Sequence, residues 1–235
     1  MNLIEIEGLT KGFKLHLTGE KIVRGCEDVS FDLHPAEFLA ITGSTGSGKS
    51  TVLKCMYREY LPSSGAIRYR KRDGEGVIDL CQAEDDDVLC LRQTDIGYVS
   101  QEFHVIPRVS ALEIVAEPLL FLGVPSDDAH EKASELLETL RIPKQLYDLY
   151  PFTFSGGEKQ RINIARTLVC QPNLLLLDEP TSALDQETRT VIEGLLAQLK
   201  EQGTTIVGIF HDLSIVERLA DRVLVMADGK VQSLN

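Results

Sequence analysis

The sequence predicts an α/β fold with a mostly parallel core sheet, an antiparallel β subdomain and an inserted helical subdomain. Three observations lead there. Strand and helix patterns alternate along most of the 235 residues, as in sheets whose crossovers are helices. A glycine-rich stretch, GSTGSGKST from Gly43 to Thr51, runs from an apolar strand into a helix. Between Gln101 and Ser155 the pattern turns helical before the alternation resumes. The expectation is one domain over 1–235, with a core at about 1–104 and 155–235 around a helical lobe at about 105–154.

The elements justify themselves in order. LIEIEGLTKGFKLHL through VSFDLHP alternates apolar and polar residues, which reads as antiparallel strands. EFLAIT is a buried strand feeding the glycine loop, and TVLKCMYREYL follows as a helix stopped by Pro62. AIRYRKRDG reads as a strand with a solvated basic face, and the acidic run Glu84 to Asp87 as a solvated loop. IGYVSQ is another strand. SDDAHEKASELLETL sets Ala129, Ala133, Leu136, Leu137 and Leu140 on one helical face, capped by Ser126 with Asp127 and Asp128 favouring the dipole. Beyond Ser155 come a helix through IARTL, the strand NLLLLD, a helix through RTVIEGLLAQLKEQG and the strand TIVGIF. A final hairpin turns at Asp228 and Gly229.

Composition narrows the class of function. With 36 Asp and Glu against 24 Lys and Arg, the net charge is −12, the wrong sign for a nucleic-acid binder. No apolar run approaches the roughly 18 residues of a membrane span, and MNLIEIEGLTK lacks the layout of a secretory signal. The expectation is a cytoplasmic protein without direct membrane insertion. The five cysteines, at 26, 55, 81, 90 and 170, have no metal-ligand spacing and read as small, mostly buried hydrophobes.

GSTGSGKS has the G-x-x-x-x-G-K-[ST] spacing of a phosphate cradle, in its strand-to-helix context. Gly43, Ser44, Thr45, Gly46, Ser47, Gly48 and Thr51 form the cradle, whose glycines let backbone amides curl around the phosphates. Lys49 sets a charge on the β and γ oxygens, and the Ser50 hydroxyl is a ligand for Mg²⁺. LLLLDEP supplies the partner. Its four leucines make a buried strand, so Asp178 and Glu179 emerge at the carboxyl end, where such sheets bind ligands. Asp178 fits the Mg²⁺ carboxylate, binding the ion directly or through one of its ligands, and Glu179 is set to orient and deprotonate a water attacking the γ-phosphate. Gln101, His211 and Asp185 also lie at or just beyond ends of apolar strands.

SGGE, Ser155 to Glu158, is a capping box. A plain cap has no use for Gly156 and Gly157, each costing about 0.8–1.0 kcal/mol relative to alanine in a helix. A helix start stripped of side chains suits an anion. The chain has no second lysine and carboxylate set, so SGGE is expected to grip a nucleotide held by another copy.

These residues resemble the ATP-binding cassette (ABC) ATPases along nearly the whole chain. The motifs occur in that family's order: Gly43–Ser50, Gln101, Ser155–Glu158, Leu174–Glu179, Ser182–Asp185 and His211. The resemblance implies a P-loop fold of cassette type, ATP and Mg²⁺ as cofactors, and Phe13 as the aromatic that stacks on adenine. It also implies catalytic roles for Glu179, His211 and Gln101, Gln101 as a Mg²⁺ contact, and Asp185 and the SGGE stretch at the nucleotide. Phe154 and Glu158 depart from the usual LSGGQ wording. The family works as a head-to-tail dimer, so a homodimer or a heterodimer with a related cassette is expected. One cassette without a membrane span implies a separate partner. YREYLPSSGAI, IGYVSQ, VIPRVSALE, TFSGGE and IVGIFHD resemble the soluble cassette proteins of the carbon–phosphorus lyase pathway of phosphonate use. Core subunits of that lyase are therefore the expected partners. The ATPase of a lipoprotein or macrolide exporter is the alternative, since QEFHVIPRVSALEIVAEPLLFLGV resembles the exporters' contact region.

Overall fold

The computed structural model describes residues 1–15, 21–72, 74, 76–101, 103, 107–182, 184–210 and 212–235. Among them two sheets form. The smaller is antiparallel, with order β2 (Lys21–Leu33), β1 (Ile4–Leu15), β4 (Ser64–Arg70) and β5 (Val77–Asp79). The larger has order β10 (Lys230–Leu234), β9 (Arg222–Ala227), β3 (Phe38–Gly43), β8 (Thr205–Ile209), β7 (Leu174–Asp178) and β6 (Ile96–Val99). It is parallel from β9 to β6, with β10 added antiparallel through the turn at Asp228 and Gly229. Both turn residues have positive φ, 51° and 79°, as a tight two-residue hairpin requires.

Residue parity divides the core. In β3, β7 and β8 the residues Leu39, Ile41, Leu174, Leu176, Val207 and Ile209 face one way, into a core shared with the smaller sheet and α1 (Lys49–Met56). Phe38, Ala40, Leu175, Leu177 and Ile206 face the other way, toward the helices α3 (Ala111–Phe121), α4 (Ser126–Thr139), α5 (Gly156–Leu168) and α6 (Gln186–Glu201). A strand buried on both faces has no polar side to show, so β7 reads as an unbroken run of leucines. The parallel pairing also brings the carboxyl ends of β3, β8, β7 and β6 to one edge of the sheet.

The structure corrects several local expectations. The helix after the glycine loop ends at Met56, well before Pro62, because Arg58 takes a left-handed conformation at φ 64°. The acidic run is no loop. Asp85, Asp86 and Asp87 form the first turn of α2 (Asp85–Thr94), where carboxylates favour the dipole. Ser126 is the first helical residue of α4 and caps nothing; its hydroxyl meets His130 Nδ1 at 3.2 Å. Cys90 is exposed, while Cys26 and Cys55 are buried. Neither β5 nor the short α7 (Leu213–Leu219) was legible in the pattern. The basic cluster is tied into the fold: Arg68 pairs with Glu7 at 2.9 Å, and Arg70 and Arg72 donate to the carbonyls of Asn2 and Gln171.

Candidate nucleotide site

The glycine loop is shaped by contacts that admit no side chain. Gly43 has φ 144°, and a Cβ there would come 2.1 Å from the Met226 carbonyl oxygen. Gly48 has φ 98°, and its Cβ would come 2.2 Å from the Gly25 carbonyl oxygen. Behind the loop, the Gly229 N–H donates to the Ser47 carbonyl at 3.1 Å, so the β9–β10 turn braces it. Gly46 faces open space, with nothing within 4 Å of where a Cβ would sit, and Ser44 and Thr45 are exposed beside it. Ser47 is buried. Gly48 is also the N-cap of α1 and offers no side-chain cap, which leaves that helix start available to an anion. Lys49 is 7% exposed, and its ammonium donates to the carbonyls of Gly43 and Ser44, each at 2.8 Å.

Asp178 ends β7 almost fully buried, with both carboxylate oxygens held. The Ser50 hydroxyl donates to Oδ1 at 2.9 Å and the Tyr98 hydroxyl to Oδ2 at 3.2 Å. Burial pushes its pKa up, and the hydrogen bonds from Ser50 and Tyr98 counter that shift. Glu179 then turns the chain in a left-handed conformation, φ 51°, which costs about 1–2 kcal/mol for a residue with a Cβ. Its N–H donates to the Ile209 carbonyl at 3.1 Å, and its own carbonyl accepts from the Ser182 hydroxyl at 3.1 Å. Gln101 Nε2 donates to Glu179 Oε2 at 3.2 Å. Ser50, Asp178, Glu179 and Gln101 are thus brought together beside the loop.

Phe13 reaches the same region from the smaller sheet. A Cβ on Gly25 would meet both the Phe13 ring, at 2.7 Å, and Thr51 Cγ2, at 2.8 Å, so the ring and the last residue of the loop flank the same glycine. Tyr60 meets it edge-on at 5.2 Å, and the Lys11 ammonium lies 5.3 Å from its centre.

Other candidates lie apart. Ser155 caps α5 in a full capping box. Its N–H and hydroxyl donate to Glu158 Oε2 at 2.8 and 2.7 Å, and the Glu158 N–H donates back to Ser155 Oγ at 3.2 Å. Those bonds hold the Glu158 carboxyl below the usual range. Gly156 is exposed, with no atom near a Cβ position. Among the described residues, no hydrogen bond joins the stretch Ser155–Glu158 to Gly43–Thr51. Asp185 caps α6 instead of meeting the loop, accepting from the Thr188 N–H and hydroxyl at 2.9 and 3.0 Å. His211 lies outside the described residues. Tyr98 was missed in the sequence; its hydroxyl, two pleats from Asp178, leaves a trace only once the β6–β7 register is known.

The donors suit the implied groups. Ser50 and Asp178 present only oxygen, the preference of Mg²⁺. Among the described residues no cluster of three His, Cys, Asp or Glu competes for a metal. The uncapped start of α1, the left-handed glycines and Lys49 suit phosphates.

The family model described as ABC transporter matches residues 26–182. The macrolide export ATP-binding/permease protein MacB of Nitrobacter winogradskyi is 35% identical over 98% of this chain, and the pyoverdine export ATP-binding/permease protein PvdT of Pseudomonas aeruginosa is likewise 35% identical over 98%. The chain spans only 34% and 33% of those two proteins. A probable amino-acid ABC transporter ATP-binding protein of Haemophilus influenzae is 34% identical over all of this chain and 88% of its own length. Among solved structures, the dimeric ATP-binding cassette MJ0796 bound to ADP and Pi superposes with a TM-score of 0.89 at 32% identity, covering 99% of this chain and 97% of its own. This chain therefore belongs to the ABC transporter family of ATP-binding cassettes, enzymes that bind ATP with Mg²⁺ and hydrolyse it.

Proposed function

We propose that the chain hydrolyses ATP at a site completed by a second cassette, and that the opening and closing of this pair drives a partner machine. One observation carries the reading. The capped start of α5 is exposed at Ser155 and Gly156, and among the described residues no hydrogen bond joins it to Lys49, Ser50 or Asp178. In this reading the loop from Gly43 to Thr51 cradles the phosphates and Phe13 stacks on the base. Ser50 and Asp178, with Gln101, hold Mg²⁺, which supplies charge neutralisation at the β and γ oxygens. Glu179 orients and deprotonates water, with Gln101 and His211 beside the γ-phosphate. Ser155, Gly156, Gly157, Glu158 and Asp185 act on the nucleotide of the other copy. The dimeric cassettes among the similar structures support this. The test is size-exclusion chromatography with light scattering on Glu179→Gln. It should run as a dimer with ATP and Mg²⁺ and as a monomer without them. A monomer at saturating nucleotide overturns the self-paired site.

For the partner, the relatives support a membrane transporter of export type, since MacB and PvdT are named as export proteins. Among the described residues no helix is long and apolar enough to cross a membrane, so a transporter would supply its spans from another segment or chain. The carbon–phosphorus lyase machinery is the second reading, and it rests on the wording of IGYVSQ, VSALE and IVGIFHD. A deletion strain separates them. Loss of growth on methylphosphonate as sole phosphorus source, with lyase subunits recovered beside the tagged chain, selects the lyase. Normal growth there, with the chain fractionating with the inner membrane beside a permease, selects the transporter.

A further inference from the structure

We infer that Tyr98 is a positioning residue for the metal carboxylate. Its hydroxyl holds Asp178 in the orientation that Mg²⁺ binding requires. The inference rests on the assignment of Asp178 as a metal residue and adds to it a partner that no motif contains.

The placement follows from the sheet. Tyr98 in β6 lies opposite Leu176 in β7, and Asp178 is two residues further along β7, so both side chains project from the same face. That face is covered by α1, which delivers Ser50 from its first turn. The neighbouring Gly97 points the other way, tight against α5, where a Cβ would come 2.8 Å from Thr167. The phenol therefore reaches diagonally along the strand to Asp178 Oδ2, while Ser50 takes Oδ1.

The ring is fixed as well as directed. Tyr57 stacks on it with centroids 4.9 Å apart and planes 27° apart. Arg92 lies over the Tyr57 ring at 4.5 Å and donates to the Tyr57 carbonyl at 3.0 Å. A stacked ring on a strand offers its hydroxyl in one direction only. A buried carboxylate with a donor on each oxygen cannot turn about its own axis. Ser50 has a single hydroxyl proton and is itself a metal ligand in this reading. Ligating the cation takes a lone pair and leaves that proton on Oδ1, so it is Tyr98 that keeps Oδ2 from turning. Groups that orient a metal ligand in this way commonly change metal affinity 10–100-fold when removed.

The test uses Mn²⁺ as the probe, with a non-hydrolysable ATP analogue, and reads bound metal by electron paramagnetic resonance. Tyr98→Phe keeps the ring and the stack. It should lower Mn²⁺ affinity about ten-fold, while analogue affinity measured with EDTA stays at the wild-type value and the melting temperature falls only slightly, by the one lost hydrogen bond. Tyr98→Met, which also removes the ring, should lose metal affinity at least as far. Wild-type Mn²⁺ affinity in Tyr98→Phe overturns the inference. So does an equal loss of metal-free analogue affinity, which marks a structural role. Asp178→Asn is the control for the underlying assignment. If it binds Mn²⁺ normally, the metal reading of Asp178 falls and this inference with it. If it loses Mn²⁺ while Tyr98→Phe does not, only the role of Tyr98 falls.

Discussion

The side-chain amide of Gln101 donates to the carboxylate of Glu179 across 3.2 Å, joining the end of β6 to the end of β7. Neither side chain is packed in the core, so the contact holds Glu179 without contributing much to the fold. The Glu179 backbone is fixed separately, by its N–H on Ile209 and its carbonyl on Ser182. Changing the side chain should therefore spare the structure. Glu179→Gln should lower ATP turnover by about 10²–10⁴, with nucleotide affinity within a few-fold of wild type. Gln101→Ala should reduce turnover less, because Glu179 remains present but loses one anchor. Phosphate release and equilibrium binding measure both. Wild-type turnover in Glu179→Gln removes it from the chemistry.

Ser155 separates a cap from a ligand. Its hydroxyl accepts from the Glu158 N–H, and Ser155→Ala should cost about 1 kcal/mol of stability. A nucleotide contact across the dimer adds a loss of turnover far beyond what that destabilisation explains. In mixed dimers the loss should fall on the partner's intact glycine loop. Full turnover by folded Ser155→Ala reduces the residue to a cap.

The same box carries a pH signature. Glu158 is held below the usual carboxylate range, first by the Ser155 hydroxyl and then by its N–H. A depressed acid contributes stability above its unfolded pKa and loses it as pH falls through the folded value. The gap in melting temperature between wild type and Glu158→Ala should therefore be present at pH 6 and shrink below about pH 4. The side chain is largely solvated, so the gap is small. A gap that widens on acidification contradicts the geometry.

Where the sequence was legible, local chemistry dictated structure. The spacing from Gly43 to Ser50 can serve only one kind of turn, and four leucines before Asp178 leave the strand nowhere but the middle of the sheet. The capping box at Ser155 was readable for the same reason, since both its partners lie within one helical turn. What stayed hidden depended on contacts distant in sequence or on a single dihedral angle. Arg58 ends α1 by turning left-handed, and arginine carries no such signal. Asp85 to Asp87 read as loop because a run of acids looks solvated, yet the same charges suit a helix start. Tyr98 looked like an ordinary strand aromatic until its register against Leu176 aimed it at Asp178.

The loop glycines should fail in different ways. Gly48→Ala forces a Cβ within 2.2 Å of a backbone oxygen at φ 98°, so it should destabilise the whole domain and lower the melting temperature clearly. Gly46→Ala meets no neighbour, though its φ of 81° still strains the backbone. It should melt close to wild type, within about 1–2 kcal/mol of stability, and yet lose nucleotide affinity, because the methyl group intrudes where phosphates are expected. Thermal melts and binding of a fluorescent ATP analogue separate the two. Normal binding by Gly46→Ala takes the phosphates elsewhere.

Phe13 makes the sharpest division between base and phosphate recognition. Its ring and Thr51, the last residue of the glycine loop, flank Gly25, and Tyr60 packs on the ring edge-on. It touches neither Lys49 nor Ser50 through any hydrogen bond, since a phenyl ring has none to give. Removing it should leave the phosphate cradle as it was. Aromatic stacking on a base is worth about 1–3 kcal/mol by alanine substitution, so Phe13→Ala should weaken ATP binding by about five- to 150-fold. Binding of inorganic triphosphate, which has no base, should not change. Phe13→Tyr should restore ATP affinity, because the stacking surface returns. Equal losses for ATP and triphosphate would mean that the ring supports the loop through Gly25 and Thr51. Unchanged ATP affinity in Phe13→Ala would move the base off this ring altogether.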